Sequence, residues 1–288
     1  MNTTVVIVTF KSKPIIASCL NSIDSTYPII IVENSEDINF KEWVESKYPN
    51  VKCCLAKKNL GYGAANNFGL KLVKTKYAFI INPDTKLHID TLNILEKNAD
   101  KIKDFAMLTP LTEEDFKSHN YGYFNKKEKI KKIDSNILEV DFIRGFSMFL
   151  NLSEFKNTGF FDENFFIYLE EIDLCKRLKN KNKKVYVITD HKIIHTGSAS
   201  HDPRFSFQLE LSRNWHWMWS KFYFNQKHYG YLYGLNKTLK QFISSILKMF
   251  LYLILFRKKK FLIYKSRFLG LLNSYLMKKS SYRPYINE

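Results

Sequence analysis

The run VVIVTF at Val5–Phe10 consists mainly of β-branched residues and predicts a buried β-strand. Three more apolar runs of similar length follow it, and segments with helical patterns separate them. Strands that alternate with helices of about ten residues are typical of βαβ units, which build mostly parallel sheets. The sequence therefore predicts an α/β domain whose first strands are Val5–Phe10, Ile29–Val32, Val51–Leu55 and Tyr77–Ile81.

Helices are expected between these strands, because apolar residues there recur at helical spacing. The predicted helices start at Pro14 and run through Ile23, cover Phe40–Tyr48, and cover Ala64–Val73. Further along the chain, residues 111–135 are polar and predict a loop or small hairpin. The later strands are predicted at Val140–Leu150, with an interruption at Arg144-Gly145, and at Lys184–Ile188 and Lys192–Ile194.

Polar residues follow three of the predicted strands, namely Thr9-Phe10, Glu33-Asn34 and Asn82-Pro83-Asp84. Parallel sheets bind ligands at the carboxyl ends of their strands, so these residues should surround one crevice. A carboxylate at Asp84 is suited to ligate Mg²⁺ or Mn²⁺ bound to a nucleoside diphosphate. The alternative is a plain turn, because Asn, Pro and Asp are common turn residues.

The stretch GFFDENFFIYLEEIDLCKRLK at Gly159–Lys179 places Glu170 and Glu171 at the start of a predicted helix. A partly desolvated carboxylate in a fixed position is what general-base catalysis on a hydroxyl requires. The alternative is an ordinary amphipathic helix whose charges face water, with Asp173 and Arg177 forming an i,i+4 ion pair.

The loop before this helix contains Phe165, Phe166 and Tyr168. These aromatic side chains lie close in sequence to the two glutamates, and we expect them to wall off an acceptor molecule beside the base.

Two further features of the sequence give weaker indications of a ligand-binding site. Asn59–Gly63 is a glycine-containing turn that leads into a helix, and such a turn can bring backbone N–H groups close to a phosphate or sugar. His195 ends a predicted strand, where an imidazole could complete a metal site or contact a phosphate. A structural histidine is the alternative.

The net charge of +17 is unevenly distributed, since Phe205–Glu288 contains 15 Lys and Arg residues and 2 acidic residues, or +13 of the total. Within this tail, Phe242–Phe256 has 15 residues and includes Lys248, which is short of the roughly 20 residues that span a bilayer. The pattern favours an interfacial anchor on an anionic membrane surface, and a buried helical hairpin is the alternative. Nucleic acid is not an expected partner, because the aromatic residues alternate with long aliphatic runs.

The four cysteines show neither CxxC spacing nor a disulfide framework, and no signal peptide is apparent at the start of the chain. We expect reduced cysteines and a cytoplasmic protein that is peripheral at the inner face of the cell membrane.

Seven motifs in this order resemble the family 2 glycosyltransferases, in particular their rhamnosyltransferase-like bacterial branch, over about residues 3–222. They are VVIVTFK at Val5–Lys11, IVENS at Ile31–Ser35, NLGYGAANNFG at Asn59–Gly69, INPDT at Ile81–Thr85, RGFSMFL at Arg144–Leu150, GFFDENFFIYLEEIDLCKRL at Gly159–Leu178 and HTGSAS at His195–Ser200.

The resemblance implies a GT-A fold, an inverting mechanism and dependence on Mg²⁺ or Mn²⁺. Asp84 corresponds to the last acid of the family's Asp-x-Asp metal motif, with Asn82 in place of its first acid. From its own position at a strand end near the same crevice, His195 is a weaker candidate for a second metal ligand. Glu171 stands where the family usually has an aspartate as the base, and Glu170 remains a second candidate. The residues implied at the donor nucleotide and its sugar are Thr9, Phe10, Glu33, Asn34, Asn59, Gly61, Asn66 and Asn82.

The implied organisation is a GT-A domain at residues 1–222, with a donor half to about residue 110 and an acceptor half after it, followed by a basic, aromatic helical tail at 223–288. The implied function is transfer of a sugar such as rhamnose from a dTDP- or UDP-linked donor to a glycan or lipid-linked glycan in surface polysaccharide synthesis. The alternative function is an inactive nucleotide-sugar or carbohydrate binding module with the same fold.

Overall fold

The chain forms two compact units, which comprise Met1–Phe161 with Glu171–Asp202, and Asp162–Glu170 with Pro203–Glu288. The computed structural model describes residues 1–113, 120–125, 131–197 and 202–283.

A mixed β-sheet forms the centre of the first unit, with the strand order β3-β2-β1-β4-β11-β6-β12-β9-β8. Strand β5 pairs with β12, and β7 pairs with β10 in a separate ribbon. The strands are β1 (Thr3–Thr9), β2 (Ile29–Glu33), β3 (Val51–Leu55), β4 (Tyr77–Ile81), β5 (Thr85–Lys86), β6 (Met107–Thr112), β7 (Tyr121–Gly122), β8 (Lys131–Asp134), β9 (Ile137–Val140), β10 (Phe142–Ile143), β11 (Ser147–Asn151) and β12 (Val185–His195).

The first four strands of the sheet order are parallel, because β1 pairs in parallel with β2 and β4, and β2 pairs in parallel with β3. Strand β11 then pairs antiparallel with both β4 and β6, and β6 pairs in parallel with β12. This arrangement confirms the predicted α/β fold with a mostly parallel centre.

Five helices belong to the segments that flank this sheet. Along β1, Val5 and Ile7 pack into one core cluster and Val6 into another, so both faces of the strand are covered. Burial on both faces explains why the strands are continuous apolar runs. The helices are α1 (Ile16–Leu20), α2 (Ile38–Lys47), α3 (Tyr62–Leu70), α4 (Thr91–Ile102) and α5 (Glu170–Asn180).

The prediction of one interrupted strand over Val140–Leu150 is wrong. That segment contains the end of β9, all of β10 and most of β11, and these strands have different partners. The predicted pair Lys184–Ile188 and Lys192–Ile194 is instead the single strand β12, with a register shift between the two parts. Of the predicted loop 111–135, residues 114–119 and 126–130 lie outside the described residues.

Three long helices form most of the second unit: α6 (Ser206–Tyr229), α7 (Tyr231–Ile254) and α8 (Lys258–Tyr275). Helix α8 lies against α6 at Gly270, where an added Cβ would be 2.2 Å from the backbone oxygen of Trp215. Only glycine permits so close an approach of two helix backbones. Helices α6, α7 and α8 also share a core of Met218, Phe222 and Leu271.

The predicted domain boundary at residues 222 and 223 falls inside α6. Within the described part of the chain, none of the helices combines the length and the apolar character that crossing a bilayer requires.

Candidate active site

The carboxyl ends of β2, β1 and β4 lie side by side in the first unit. In the parallel registers, Thr9 pairs with Glu33 and Ile7 pairs with Ile81. Asn82 and Asp84 directly follow β4, so the three polar strand ends predicted to share one edge do so. Thr9 is fully buried, whereas Phe10 is half-buried and its N–H bonds to Ser12 Oγ at 3.1 Å.

Glu33 is buried at this edge, and both of its carboxylate oxygens accept hydrogen bonds from the protein. Thr9 Oγ1 donates to Glu33 Oε2 at 2.5 Å, and the backbone N–H of Ser35 donates to Glu33 Oε1 at 2.7 Å. Burial raises the pKa of the Glu33 carboxyl group, and the hydrogen bonds from Ser35 and Thr9 partly offset that rise. Glu33 therefore ties the ends of β1 and β2 together.

Asn34 connects the end of β2 to the glycine-containing turn before α3. Its Nδ2 donates to Asn59 Oδ1 at 3.1 Å and to Gly61 O at 3.2 Å, and its Oδ1 accepts from the Leu60 N–H at 2.9 Å. Asn59 Oδ1 also accepts from the Gly61 N–H at 3.0 Å. Gly61 has a φ of +81°, which favours glycine, and it forms the N-cap of α3. This network fixes the shape of the turn.

Strand pairing brings Asp84 and His195 together, although they are far apart in sequence. Strand β5 pairs antiparallel with the end of β12, and His195 is opposite Thr85. The N–H and Oγ1 of Thr196 donate to the backbone oxygen of Asp84 at 3.2 and 3.1 Å. His195 Nε2 lies 3.5 Å from Asp84 Oδ1, with 14% of the His195 side chain and 1% of the Asp84 side chain exposed.

The His195 ring is stacked on Phe146, with 4.0 Å between the ring centroids and 5° between the planes. No described residue forms a hydrogen bond with the buried His195 Nε2 atom. In the described ranges, three or more His, Cys, Asp or Glu side chains do not gather into a metal-binding group. The pair offers one nitrogen and one carboxylate, a donor set that fits a divalent metal sharing its other ligands with phosphate and water.

Helix α5 begins at the two adjacent glutamates. Glu170 is 4% exposed and belongs to the second unit, whereas Glu171 is half-buried and belongs to the first. In the first unit, Glu171 Cβ lies 3.7 Å from where a Cβ on Gly145 would be. The hydroxyl of Tyr62 donates to the backbone oxygen of Gly145 at 2.5 Å. Tyr62 therefore anchors the backbone that faces Glu171.

The expected i,i+4 pair further along α5 is present. Arg177 Nε donates to Asp173 Oδ2 at 2.8 Å, and the Asp173 side chain is fully buried. Arg177 also donates to the backbone oxygens of Thr158, at 2.8 Å, and Phe160. This ion pair holds α5 to the segment that precedes the aromatic loop, which is a structural role.

Two residues directly before α5 have left-handed backbone conformations, Tyr168 with φ of +73° and Leu169 with φ of +67°. Such conformations cost about 1–3 kcal/mol each for residues other than glycine and persist only where surrounding contacts impose them. Ser220 Oγ donates to the backbone oxygen of Ile167 at 3.0 Å, and the Tyr168 ring packs edge-on against Trp217. These contacts hold this part of the loop on α6.

The expectation that Phe165 and Phe166 wall off an acceptor is wrong, because both side chains are buried in the second unit, at 0% and 6% exposure. Phe165 packs against Tyr223, with 4.9 Å between the ring centroids, and Phe166 stacks on His216 at 4.4 Å. The two side chains bury their apolar surface against α6 and so stabilise the packing of the loop. They do not face a ligand.

His216 links the C-terminal segment to α6. Its Nε2 is 2.9 Å from the backbone oxygen of Tyr282, and its Nδ1 is 3.0 Å from Ser280 Oγ. The residue is fully buried, and burial lowers the pKa of His216 to about 3. The Nε2 atom therefore carries the proton that bonds to Tyr282, and the ring is neutral at physiological pH.

His216 should make the protein sensitive to acid. As pH falls below about 6.5, the unfolded chain binds a proton at this residue that the folded protein binds only near pH 3. Stability is therefore lost between these two values, at about 1.4 kcal/mol per pH unit. Between pH 7.5 and pH 5, the free energy of unfolding of His216→Gln should fall by about 2 kcal/mol less than that of the wild type. Urea unfolding at each pH measures this difference. His228→Gln, on the same helix, is the matched control, and equal losses in all three proteins would contradict the prediction.

Asn66 and Asn82 are the two remaining residues predicted to contact the donor. Asn66 is fully buried, its Nδ2 donates to Tyr62 O at 3.0 Å, and its Oδ1 has no hydrogen-bond partner within the described residues. Asn82 is half-buried, and its backbone oxygen accepts from the Cys19 thiol at 3.7 Å. Burial and the charge of Asp84 raise the pKa of the Cys19 thiol, so this side chain is a neutral thiol. Ser198 and Ser200 of the HTGSAS motif lie outside the described residues.

Sequence reasoning missed four supporting residues: Tyr62, Thr196, Cys19 and Asn67. Three of them occur inside the quoted motifs, which was the available indication for them. Asn67 Nδ2 donates to Phe161 O at 2.9 Å, and Asn67 Oδ1 accepts from the Phe161 N–H at 3.0 Å. Nothing near Cys19 in the sequence indicates its position beside Asn82.

The family model described as Glycosyl transferase family 2 matches residues 4–173, which is more than half of the chain. The chain belongs to this family. This family 2 glycosyltransferase is 26% identical over 221 residues to Rhamnosyltransferase WbbL of Escherichia coli (strain K12), an alignment that covers 68% of the chain and 81% of the relative. It is 21% identical over 192 residues to the low-salt glycan biosynthesis hexosyltransferase Agl10 of Haloferax volcanii, covering 62% of each protein.

Solved structures support the fold of this family 2 glycosyltransferase. Residues 1–349 of S. aureus TarS superpose with a TM-score of 0.53 at 14% identity, covering 96% of the chain and 92% of TarS. GalNAc-T7, solved with UDP, GalNAc and Mn²⁺, has a TM-score of 0.55 at 11% identity, covering 85% of the chain and 57% of GalNAc-T7. These neighbours are GT-A glycosyltransferases, and the expected GT-A fold is confirmed.

Proposed function

We propose that this glycosyltransferase moves a sugar, rhamnose or another hexose, from a dTDP- or UDP-linked donor to a hydroxyl group of a glycan or lipid-linked glycan. We further propose that the reaction inverts the anomeric centre and serves surface polysaccharide synthesis. The proposal depends chiefly on the Asp84–His195 pair, a buried nitrogen and carboxylate 3.5 Å apart at the strand-end edge. The rhamnosyltransferase and hexosyltransferase relatives support the choice of sugar class.

The nucleoside end of the donor is assigned to the edge formed by β1 and β2. Glu33 and Asn34 use their polar atoms within the protein, so their proposed role is to hold the shape of the base and ribose site. Thr9 supports Glu33 in this role, and Phe10 supplies apolar surface. Asn59, Gly61 and Asn66 line the neighbouring turn and the first turns of α3, on the side of the donor sugar and phosphates.

Asp84 and His195 are proposed to hold one Mg²⁺ or Mn²⁺ ion, with Asn82 beside them. The buried His195 Nε2 atom, which lacks a hydrogen-bond partner in the described residues, and the facing carboxylate oxygen suit such an ion. The ion would neutralise the charge that develops on the leaving diphosphate. Stacking on Phe146 keeps the imidazole ring in the orientation that this role needs.

Glu171 is proposed as the general base, with Glu170 as the second candidate. The Glu171 carboxylate removes the proton from the acceptor hydroxyl while that oxygen attacks the anomeric carbon from the face opposite the leaving group. The bond from the anomeric carbon to the diphosphate oxygen breaks, and its electron pair leaves with the diphosphate. Glu171 is the better choice because it is half-buried and faces Gly145, whereas Glu170 is 4% exposed.

A thermal-shift screen against dTDP- and UDP-sugars, with Mg²⁺, Mn²⁺ or EDTA, tests the function. Ligand at about 100 times its Kd stabilises a protein by about 2.7 kcal/mol, so the correct donor should raise the Tm measurably and only with the metal. The selected donor is then incubated with enzyme and Mn²⁺, and slow hydrolysis of the sugar nucleotide is expected. Binding without hydrolysis or transfer would favour the inactive binding module, and no response to any donor would contradict the proposal.

The proposed location is the cytoplasm, peripheral at the inner face of the cell membrane, where a lipid-linked acceptor would be available. The uneven charge of the chain supports this location, because +13 of the net charge of +17 lies in Phe205–Glu288.

A further inference from the structure

Helix α7 carries a row of large apolar side chains that face away from the core of the second unit. Leu239, Ile243, Leu247, Phe250 and Ile254 are between 48% and 72% exposed. They are spaced three and four residues apart, so they lie along one side of the helix. We call these five residues the outer stripe.

The opposite side of α7 packs inside the unit. Gly234, Thr238 and Ser245 are buried, and Phe242 packs against Phe268 and Tyr275 with ring centroids 5.3 and 5.1 Å apart. A helix with apolar residues on both sides is normally covered on both sides. The outer stripe therefore needs a partner that buries it.

The last two residues of α7 and the turn that follows them are also apolar. Leu253–Phe256 is largely exposed, and the Phe256 side chain is 93% exposed. Phe256 has a left-handed φ of +52°, a conformation with an energetic cost for a residue other than glycine. A turn that faces water usually contains polar residues or glycine, but this one contains Leu255 and Phe256. Together with Leu253 they extend the same uncovered surface.

Basic residues surround this surface, and acidic residues are absent from the sequence between Asn236 and Lys279. Arg257–Lys260 follows the turn directly and is exposed. Lys248 Nζ lies 5.2 Å from the centre of the Tyr264 ring, and Lys260 Nζ lies 5.1 Å from the centre of the Tyr252 ring. Paired tyrosines and lysines with apolar residues beside them are typical of side chains at a membrane–water interface.

We propose that the outer stripe and the adjoining segment Leu253–Phe256 insert into the surface of an anionic phospholipid bilayer, with α7 lying along the membrane plane. Arg257–Lys260 and Lys248 contact the phosphate headgroups, and the apolar residues reach the start of the acyl chains. This inference rests on the peripheral location proposed above and specifies the surface responsible, and it does not depend on the sugar-transfer chemistry.

A bilayer fits this surface better than a second copy of the chain. In a two-fold dimer the same patch would meet itself, and the sequence between Asn236 and Lys279 offers no acidic residue to pair with the basic residues of the second copy. Nucleic acid would match the charge, but it offers no apolar surface to cover the outer stripe.

The test uses the full-length protein, because α8 packs on α6 at Gly270 and removing the residues after Tyr233 would expose Trp215 and Phe222. Sedimentation is measured with vesicles of phosphatidylglycerol and phosphatidylcholine and with pure phosphatidylcholine vesicles. We expect binding to the anionic vesicles, and weaker binding at high salt. Phe250→Ser/Phe256→Ser should lower the partition coefficient at least tenfold. Ile89→Ser, an 85% exposed apolar residue of the first unit, is the matched control and should leave it unchanged.

The charge contribution is tested with Lys258→Ala/Lys259→Ala/Lys260→Ala, which should lower partition by about fivefold for each cation removed. A triple alanine variant of the exposed Lys52, Lys57 and Lys97 is its control. Failure of the wild type to bind anionic vesicles, or equal losses in the variants and their controls, would overturn the proposal. A dimer in sedimentation equilibrium that Phe250→Ser/Phe256→Ser dissociates, without vesicle binding, would identify a second copy as the partner.

Donor hydrolysis with Mn²⁺ and without vesicles separates this inference from the proposed reaction. The Phe250→Ser/Phe256→Ser variant should hydrolyse the donor at the wild-type rate, because its changes lie outside the residues proposed for catalysis. Vesicle binding without donor hydrolysis would contradict the proposed reaction while supporting the membrane surface. Donor hydrolysis without vesicle binding would support the proposed reaction and contradict the membrane surface.

Discussion

Replacing Glu171 with glutamine is expected to lower the turnover number about 10²–10⁴-fold, the usual contribution of a general base. Glutamine has nearly the same size and shape but cannot accept the acceptor's proton. Contacts to the donor are left in place, so the Tm increase caused by donor and metal should be unchanged. Turnover is measured as release of the nucleoside diphosphate in the presence of acceptor.

Glu170→Gln is the matched control for this experiment, because the two glutamates are adjacent in α5. Glu170 is buried in the second unit, so its substitution should alter stability more than turnover. Wild-type turnover in Glu171→Gln, together with inactivity in Glu170→Gln that unfolding does not explain, would assign the base to Glu170 instead.

Replacing Asp84 with alanine should abolish the metal-dependent part of donor binding. The Tm of the wild type should rise when UDP or dTDP is added with Mn²⁺, and EDTA should abolish this rise. The Tm of Asp84→Ala with the nucleotide should be the same in Mn²⁺ and in EDTA. Turnover should also fall to near background, since the charge on the leaving diphosphate is no longer offset. His195→Gln should produce the same pattern with a smaller loss, because Asp84 still provides a charged ligand.

Asp90→Ala, an exposed acid four residues past β5 and outside the site, is the control for general loss of negative charge. The metal role of Asp84 is excluded if two results occur together. The nucleotide would raise the Tm of the wild type equally in Mn²⁺ and in EDTA, and Asp84→Ala would have the turnover number of the wild type.

The strand ends of the site were predictable from sequence because they depend on local patterns. Continuous β-branched runs identify strands that are covered on both faces, and the parallel connection of such strands puts Thr9, Glu33 and Asp84 at one edge. The α5 start was predictable for the same reason, since the position of Glu171 follows from the helical spacing after the aromatic loop.

The elements of the first unit that were not predicted include α4, β5 and β6. Strand β6 contains Pro110, which cannot donate a hydrogen bond and argues against a strand that lies inside a sheet. Helix α4 did carry a usable pattern, because Leu92, Leu95 and Ala99 are buried at helical spacing.

The contacts that complete the site depend on tertiary structure, so sequence spacing could not indicate them. Tyr62 reaches Gly145 across 83 residues, and the Asp84–His195 pair exists only because β5 pairs with the end of β12. The aromatic loop was misinterpreted for a similar reason. Nearness of Phe166 to Glu170 in sequence says nothing about which side of the loop α6 covers, and α6 covers the phenylalanines.

The two hydrogen bonds between the Asn67 side chain and the backbone of Phe161 limit how sequences of this family can diverge. The Asn67 amide bonds to both backbone atoms of residue 161 and to nothing specific in its side chain, so another large apolar residue that fills the same buried space can replace Phe161 without breaking these hydrogen bonds. Asn67 has no such freedom, because losing either end of its amide leaves a buried backbone group unsatisfied. Among descendants of this protein, position 67 should therefore remain fixed while position 161 drifts among apolar residues. A recombinant that joins the first 110 residues of one relative to the rest of another should tolerate the exchange only where the incoming segment retains that asparagine.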